Sequence, residues 1–154
     1  MPLMLVGVIS DTHGLLRPEA VAALQNVDYI LHAGDVGDYT ILDRLGHIAP
    51  VTAIRGNIDS EGPCANLPET ELIDLAGRNI YILHDRNALD LNPEAAGIAA
   101  VISGHSHKPL IKWHRGVLYF NPGSAGPKRF SLPVSLGFIE ISLDGVTPRL
   151  LSIA

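Results

Sequence analysis

The chain has 154 residues, 47% hydrophobic and 18% charged, which suits one globular domain spanning residues 1–154 and excludes a disordered chain. A formal charge of −5 and a pI near 5.7 deny it a general electrostatic grip on duplex nucleic acid or an anionic membrane, although bound cations would add positive charge that this count omits. Cys64 is the only cysteine, so an internal disulfide is excluded and a reducing compartment, the cytoplasm, is expected.

Met1 to Ser10 is apolar, lacks a basic flank and a small-residue cleavage site, and runs straight into Asp11. It reads as a buried first strand over Leu3–Ser10 and not as a signal peptide. Pro18 to Leu24 is Ala-rich with proline near its start, a helix opening. Tyr29–Ala33 reads as a second strand, Tyr39–Leu45 as a helix closed by Gly46, and Val51–Arg55 as a third strand. This alternation predicts an α/β layer built from right-handed crossovers.

Beyond Cys64 the pattern becomes mostly β. Thr70–Leu75 and Ile80–Leu83 read as a hairpin-like pair around Gly77. Pro93 to Ala96 predicts a short helix, and Ala100–Ser103 another strand. Leu110–His114, Val117–Phe120, Val134–Ile141 and Arg149–Ile153 complete the strands. They are separated by Arg115-Gly116, by the loop from Asn121 to Pro133 and by Asp144-Gly145. No apolar run approaches the ~18 residues that would span a bilayer.

The chemistry lies where polar residues follow these runs. Asp11 and His13 follow the first strand, Asp35 the second, Asn57 the third, His84 the run Ile80–Leu83, and His105 and His107 the run Ala100–Ser103. Carboxyl ends of strands are where open α/β sheets bind ligands. In extended backbone, residues two apart share a side, so Asp11 can chelate with His13 and His105 with His107. Gly34, Gly56 and Gly104 each precede a candidate ligand, where close backbone approach is needed. Imidazole mixed with carboxylate suits zinc, iron, manganese, cobalt or nickel better than calcium or magnesium. Seven donors exceed one tetrahedral ion and suffice for two if a carboxylate bridges.

The series Asp11-Thr12-His13, Gly34-Asp35, Gly56-Asn57, His84 and Gly104-His105-Ser106-His107 resembles the calcineurin-like metallophosphoesterase superfamily. The length and Asn121-Pro122-Gly123-Ser124 resemble its small bacterial and archaeal phosphodiesterase branch. The resemblance implies an α/β fold, a four-layer α/β/β/α sandwich of two mixed sheets flanked by helices. It implies two divalent transition-metal ions, manganese ahead of iron, zinc, nickel and cobalt. One ion would take Asp11, His13, Asp35 and His107; the other would take Asp35, Asn57, His84 and His105, with Asp35 as the bridge. The implied reaction is hydrolysis of a small phosphate ester, a phosphodiester, by in-line attack of a hydroxide held between the ions, with Asp35, Asn57 and His105 closest to the chemistry. Neither membrane nor duplex nucleic acid is an expected partner, and a homo-oligomer is left open.

Two positions depart from the superfamily. Many members carry a histidine directly after the asparagine; here it is Ile58, followed by Asp59, so no proton donor to the leaving group is evident. His84 is followed by Asp85 in place of glycine, a residue that could orient a ligand or only close a turn. His32 reads as a satisfied buried histidine, His47 and His114 as exposed, and Cys64 as an apolar filler. Lys108, Lys112, Arg115, Lys128 and Arg129 read as solvated surface, and Asn121 to Ser124 as a loop that braces the site or merely turns. The competing function is a protein-binding platform, since some members of the superfamily keep the fold with a degraded site. A dinucleotide-binding fold is discounted because Ser10 to Gly14 lacks a Gly-x-Gly-x-x-Gly run.

Overall fold

The computed structural model describes residues 3–154. Met1 and Pro2, the start of the stretch read as a strand and not a signal peptide, lie outside the described residues. The first apolar run forms β1 (Met4–Ile9), followed by α1 (Pro18–Ala23), β2 (Tyr29–His32), α2 (Thr40–Gly46) and β3 (Val51–Ala53). The strands β1, β2 and β3 pair in parallel. Two helical crossovers are therefore needed, because parallel neighbours cannot be joined by a tight turn. Proline opens α1, where its missing N–H leaves no intrahelical bond unmade.

The rest of the chain supplies β4 (Thr70–Leu75), β5 (Arg78–Leu83), β6 (Ile98–Ile102), β7 (Leu110–His114), β8 (Val117–Asn121), β9 (Ser135–Ser142) and β10 (Gly145–Ser152). Two five-stranded mixed sheets result, in the orders β10-β9-β1-β2-β3 and β4-β5-β6-β8-β7. The β4–β5 and β7–β8 hairpins turn at Ala76-Gly77 and Arg115-Gly116, where both residues of each pair have positive φ. That is the turn whose twist matches the flanking strands.

The sheets pack face to face on one apolar layer, with Val6, Val8 and Leu31 of the first meeting Ile80, Ile82, Ile102 and Leu118 of the second. The alternate residues of the first sheet, Ile9 and Ile30 among them, pack under α1 and α2 through Ala20, Ile41 and Leu45. Residues of β1 and β2 thus face apolar layers on both sides, which is why these strands read as unbroken apolar runs. The fourth layer is thin. Tyr81, Leu83, Val101 and Val117 on the outer face of the second sheet are covered by Leu89 and Leu91 from the segment that includes the short 3-10 turn Arg86–Ala88.

Three details differ from the sequence reading. Residues 93–97 form a turn and no helix: Ala96 N–H reaches Asn92 O, and Gly97, at φ 73°, leaves the helical region at once. A 3-10 turn at Pro63–Asn66 follows β3, which no periodicity announced. β10 begins at Gly145 and not at Arg149, pairing along eight residues of β9. β10 is an edge strand, which tolerates the proline at position 148. No helix among the described residues is long and apolar enough to cross a membrane.

Candidate metal centre

The turns that follow β1, β2, β5 and β6 meet at one edge of the sandwich, and each delivers donors. Asp11 and Asp35 are buried there with His84 and His107. The two carboxylates are held alike. Asp11 Oδ2 accepts from Ser10 Oγ at 2.7 Å and from the His105 N–H at 3.1 Å. Its Oδ1 has no hydrogen-bond partner and lies 3.3 Å from His107 Nε2, 3.7 Å from His13 Nε2 and 3.8 Å from His84 Nε2. Asp35 Oδ1 accepts from the Ile58 N–H at 3.0 Å. Its Oδ2 lies 3.1 Å from His84 Nε2 and 3.5 Å from His13 Nε2. In each, one oxygen anchors the side chain and the other is turned toward imidazole nitrogens.

His84 makes the consequence explicit. Its Nδ1 sits 2.7 Å from the Ala33 carbonyl oxygen, which can only accept, so Nδ1 carries the hydrogen. In the neutral ring Nε2 is then a lone pair facing the Asp35 carboxylate. That arrangement is repulsive unless a proton or a metal cation lies between them. Asp11 Oδ1, His13 Nε2, His84 Nε2 and His107 Nδ1 are all buried without a hydrogen-bond partner, against the rule that buried polar atoms are satisfied. Two sets of donor atoms lie within 4.8 Å of one another, Asp11 with His13 and His107, and Asp11 with Asp35 and His84. Divalent cations fit this cluster: its donors are oxygen and imidazole, and its orphaned atoms lack only a positive partner.

The electrostatics agree. Burial alone would raise the Asp11 carboxyl, but the neighbouring imidazoles of His107 and His13 and the Ser10 hydroxyl hold it far below the usual range. Burial likewise opposes ionisation of Asp35, and His84 with the Ile58 N–H outweighs it, so Asp35 is also held low. Burial would lower His84, yet Asp35 and the Ala33 carbonyl raise it. The cluster is anionic, and the surroundings of His84 favour positive charge there.

Backbone strain marks the same residues. Asp11, His13, Asp35, His105 and His107 all adopt positive φ, between 47° and 69°, a region that costs a non-glycine residue about 1 kcal/mol or more. Tight packing explains two glycines. A Cβ on Gly56 would overlap Asp35 Oδ1 and its backbone N, and one on Gly104 would overlap Ser10 Oγ and crowd Asp11 Oδ2.

Several residues that the sequence reading gave no definite role hold these turns in place. Asp59, 2% exposed, accepts from the N–H groups of Val36, Gly37 and Gly56. It ties the Asp35 turn to the Asn57 turn. His32 is fully buried; its Nδ1 accepts from the Gly34 N–H, and its Nε2 meets Thr12 Oγ1, whose hydrogen goes to the Val36 carbonyl. Burial pushes His32 down to about 4, keeping it neutral. Asn121 donates to the Gly104 carbonyl and Ser124 to the Asp11 carbonyl, so this loop braces the site. Asp59 had one sequence signal, its place two after Asn57, but its partners lie on two separate turns.

The remaining predicted donors sit outside the buried set. Asn57 is exposed and borders a cleft with His84. The His105 side chain is 42% exposed, with Nε2 3.9 Å from Asp85 Oδ2 and its ring 5.3 Å from that of His84. Asp85 also caps the turn after it by accepting from the Asn87 N–H, and no hydrogen bond ties it to His84 among the described residues. His47 is exposed, as are Lys108, Lys112, Arg115, Lys128 and Arg129, while Cys64 is buried. His114 is exposed on the outer face of the second sheet beside Tyr119.

Residues 4–144 match the family model of the calcineurin-like phosphoesterase superfamily domain. A probable metallophosphoesterase from Methanocaldococcus jannaschii is 42% identical, over 79% of this chain and 68% of that one. Among solved structures, a predicted phosphoesterase from Streptococcus pneumoniae superposes with a TM-score of 0.78 at 23% identity, covering 97% of this chain and 89% of the other. Vps29 from Entamoeba histolytica, solved with Zn2+, superposes with a TM-score of 0.74 at 26% identity, covering 98% of this chain and all of that one (100%).

Proposed function

The chain belongs to the calcineurin-like phosphoesterase superfamily, a family of metal-dependent phosphoesterases, and from that premise we propose that it is a phosphodiesterase working with two divalent transition-metal ions, manganese first. The observation that carries this reading is the pairing of two ionised carboxylates with imidazole nitrogens in a buried cluster where Asp11 Oδ1, His13 Nε2, His84 Nε2 and His107 Nδ1 have no hydrogen-bond partner. Such a cluster without cations would violate both charge balance and polar satisfaction.

One ion would be held by Asp11, His13, Asp35 and His107, the other by Asp35, Asn57, His84 and His105. Asp35 Oδ2, lying between His13 and His84, suits the shared ligand. Bound there, two cations supply a nucleophilic hydroxide at neutral pH and neutralise charge on the phosphoryl oxygens. The protein's own part is positioning. The Ala33 carbonyl fixes the ring of His84, and Ser10 and the His105 N–H fix Asp11. Exposed Asn57 and His105 stand at the rim, where a small phosphate ester would arrive. Ile58, 46% exposed, offers no proton to a departing alcohol. The turnover of aryl phosphodiesters by the metal-loaded protein should therefore rise steeply as the leaving-group pKa falls; a rate indifferent to that pKa would sink this account.

The Vps29 likeness in fold supports a second reading, a protein-binding platform. All seven donor positions of the superfamily pattern are kept here, which favours the enzyme. Metal analysis together with hydrolysis of bis(4-nitrophenyl) phosphate separates the two. Two ions per chain and turnover lost on chelation are expected; neither metal nor turnover would favour the platform.

A further inference from the structure

A cleft of about 690 Å³ opens beside the metal centre and shares Asn57 and His84 with it. His84 is 5% exposed there, and its Nε2 makes no hydrogen bond, so one wall of the cleft is a buried donor facing the centre. A phosphoryl group held at the metals has room to project one of its ester arms into this space, which is of the size that small-molecule sites use.

The charges around the cleft are unequal. Arg55 is its only lysine or arginine, and its guanidinium is committed to Glu69. Asp59 is saturated by three backbone N–H groups. That leaves Asp85 and Asp90, with no cation facing either in the lining. Asp85 Oδ1 takes the Asn87 N–H, and Oδ2 stands 3.9 Å from His105. Tyr81, Leu83 and Ala88 supply an apolar wall.

We infer that this cleft is the subsite for the retained alcohol arm of a phosphodiester, and that it takes an uncharged or cationic arm, such as an amino alcohol, and rejects an anionic one. The inference rests on the phosphodiesterase reading. Its physical basis is field focusing: two carboxylates in a concave site attract a cation and repel an anion, while the phosphoryl anion itself is drawn to the metals. The apolar wall packs the alkyl part of the arm.

Product monoesters carry the same arm, so calorimetry on the full chain loaded with Mn2+ tests the cleft directly. The probes are phosphocholine, methyl phosphate and phosphoglycolate. Phosphocholine should bind about tenfold more tightly than phosphoglycolate, with methyl phosphate between. Asp90→Lys, at an exposed position, should flatten or invert that order. Equal affinities for the three probes, or an order untouched by Asp90→Lys, would overturn the inference while leaving the phosphodiesterase reading intact. Absence of metal-dependent binding by all three, with no hydrolysis of bis(4-nitrophenyl) phosphate, would overturn both.

Discussion

The donors fall into two regions that differ in how firmly the fold holds them. In the inner region, Asp11, Asp35 and His84 are buried, and each has one polar atom tied down by a neighbour. In the outer region, Asn57 and His105 are exposed, and neither side chain makes a hydrogen bond among the described residues. The inner donors are aimed before any ion arrives, so little entropy is lost when one binds. The outer donors must be ordered by the ion or the substrate. A first cation should therefore bind tightly at Asp11, His13, Asp35 and His107, and a second more loosely at the set that Asn57 and His105 complete.

Replacing Asp35 should break this comparison most severely, because its Oδ2 faces both His13 and His84. Asp35→Asn is expected to lower phosphodiester turnover by about 10³-fold or more and to reduce bound metal measured by elemental analysis. His105→Ala tests the outer region. It should cost roughly 10–100-fold in the affinity of one ion and leave the other bound, seen as loss of one step in a metal titration. Equal damage from the two substitutions would erase the distinction between inner and outer donors.

The smallest expected effect lies in the metal-free protein and its pH dependence. Burial lowers His84, but Asp35 and the Ala33 carbonyl raise it above its ordinary 6.5. The stability contributed by its proton is complete below about pH 6.5 and is lost as the pH climbs through the higher folded-state value. Asp11 and Asp35, held low, contribute above the ordinary carboxylate range near 3.8 and lose that contribution as the pH falls. Metal-free protein should thus melt highest at mildly acidic pH and lose a few degrees by about pH 9. Added Mn2+ should restore more at the alkaline end, where a cation replaces the missing proton. A metal-free melting temperature that rises from pH 6 to pH 9 would contradict the lone-pair arrangement at His84.

The sequence made some of this legible for a simple reason. Strand β1 is apolar throughout because it lies between two packed layers, so the polar Asp11 that ends it stood out. The same contrast exposed Asp35, His84 and the His105–His107 pair. Pro93 to Ala96 misled because composition favoured a helix, while Gly97 at positive φ allows only one turn. The start of β10 was missed because Val146 to Pro148 lacks the clean alternation of a strand, and pairing with β9 overrides that weakness.

By itself the sequence determined which atoms could meet a cation, since donor chemistry and position after a strand are properties of residues in order. Only the tertiary structure decided which oxygen of Asp11 faces the imidazoles, that Asp59 ties two turns together, and that Asn57 and His105 lie at the rim. Those outcomes depend on hydrogen bonds between segments as far apart as His105 and Asp11. Periodicity describes one segment at a time, so the partners that fold onto it from elsewhere leave no trace in its own pattern.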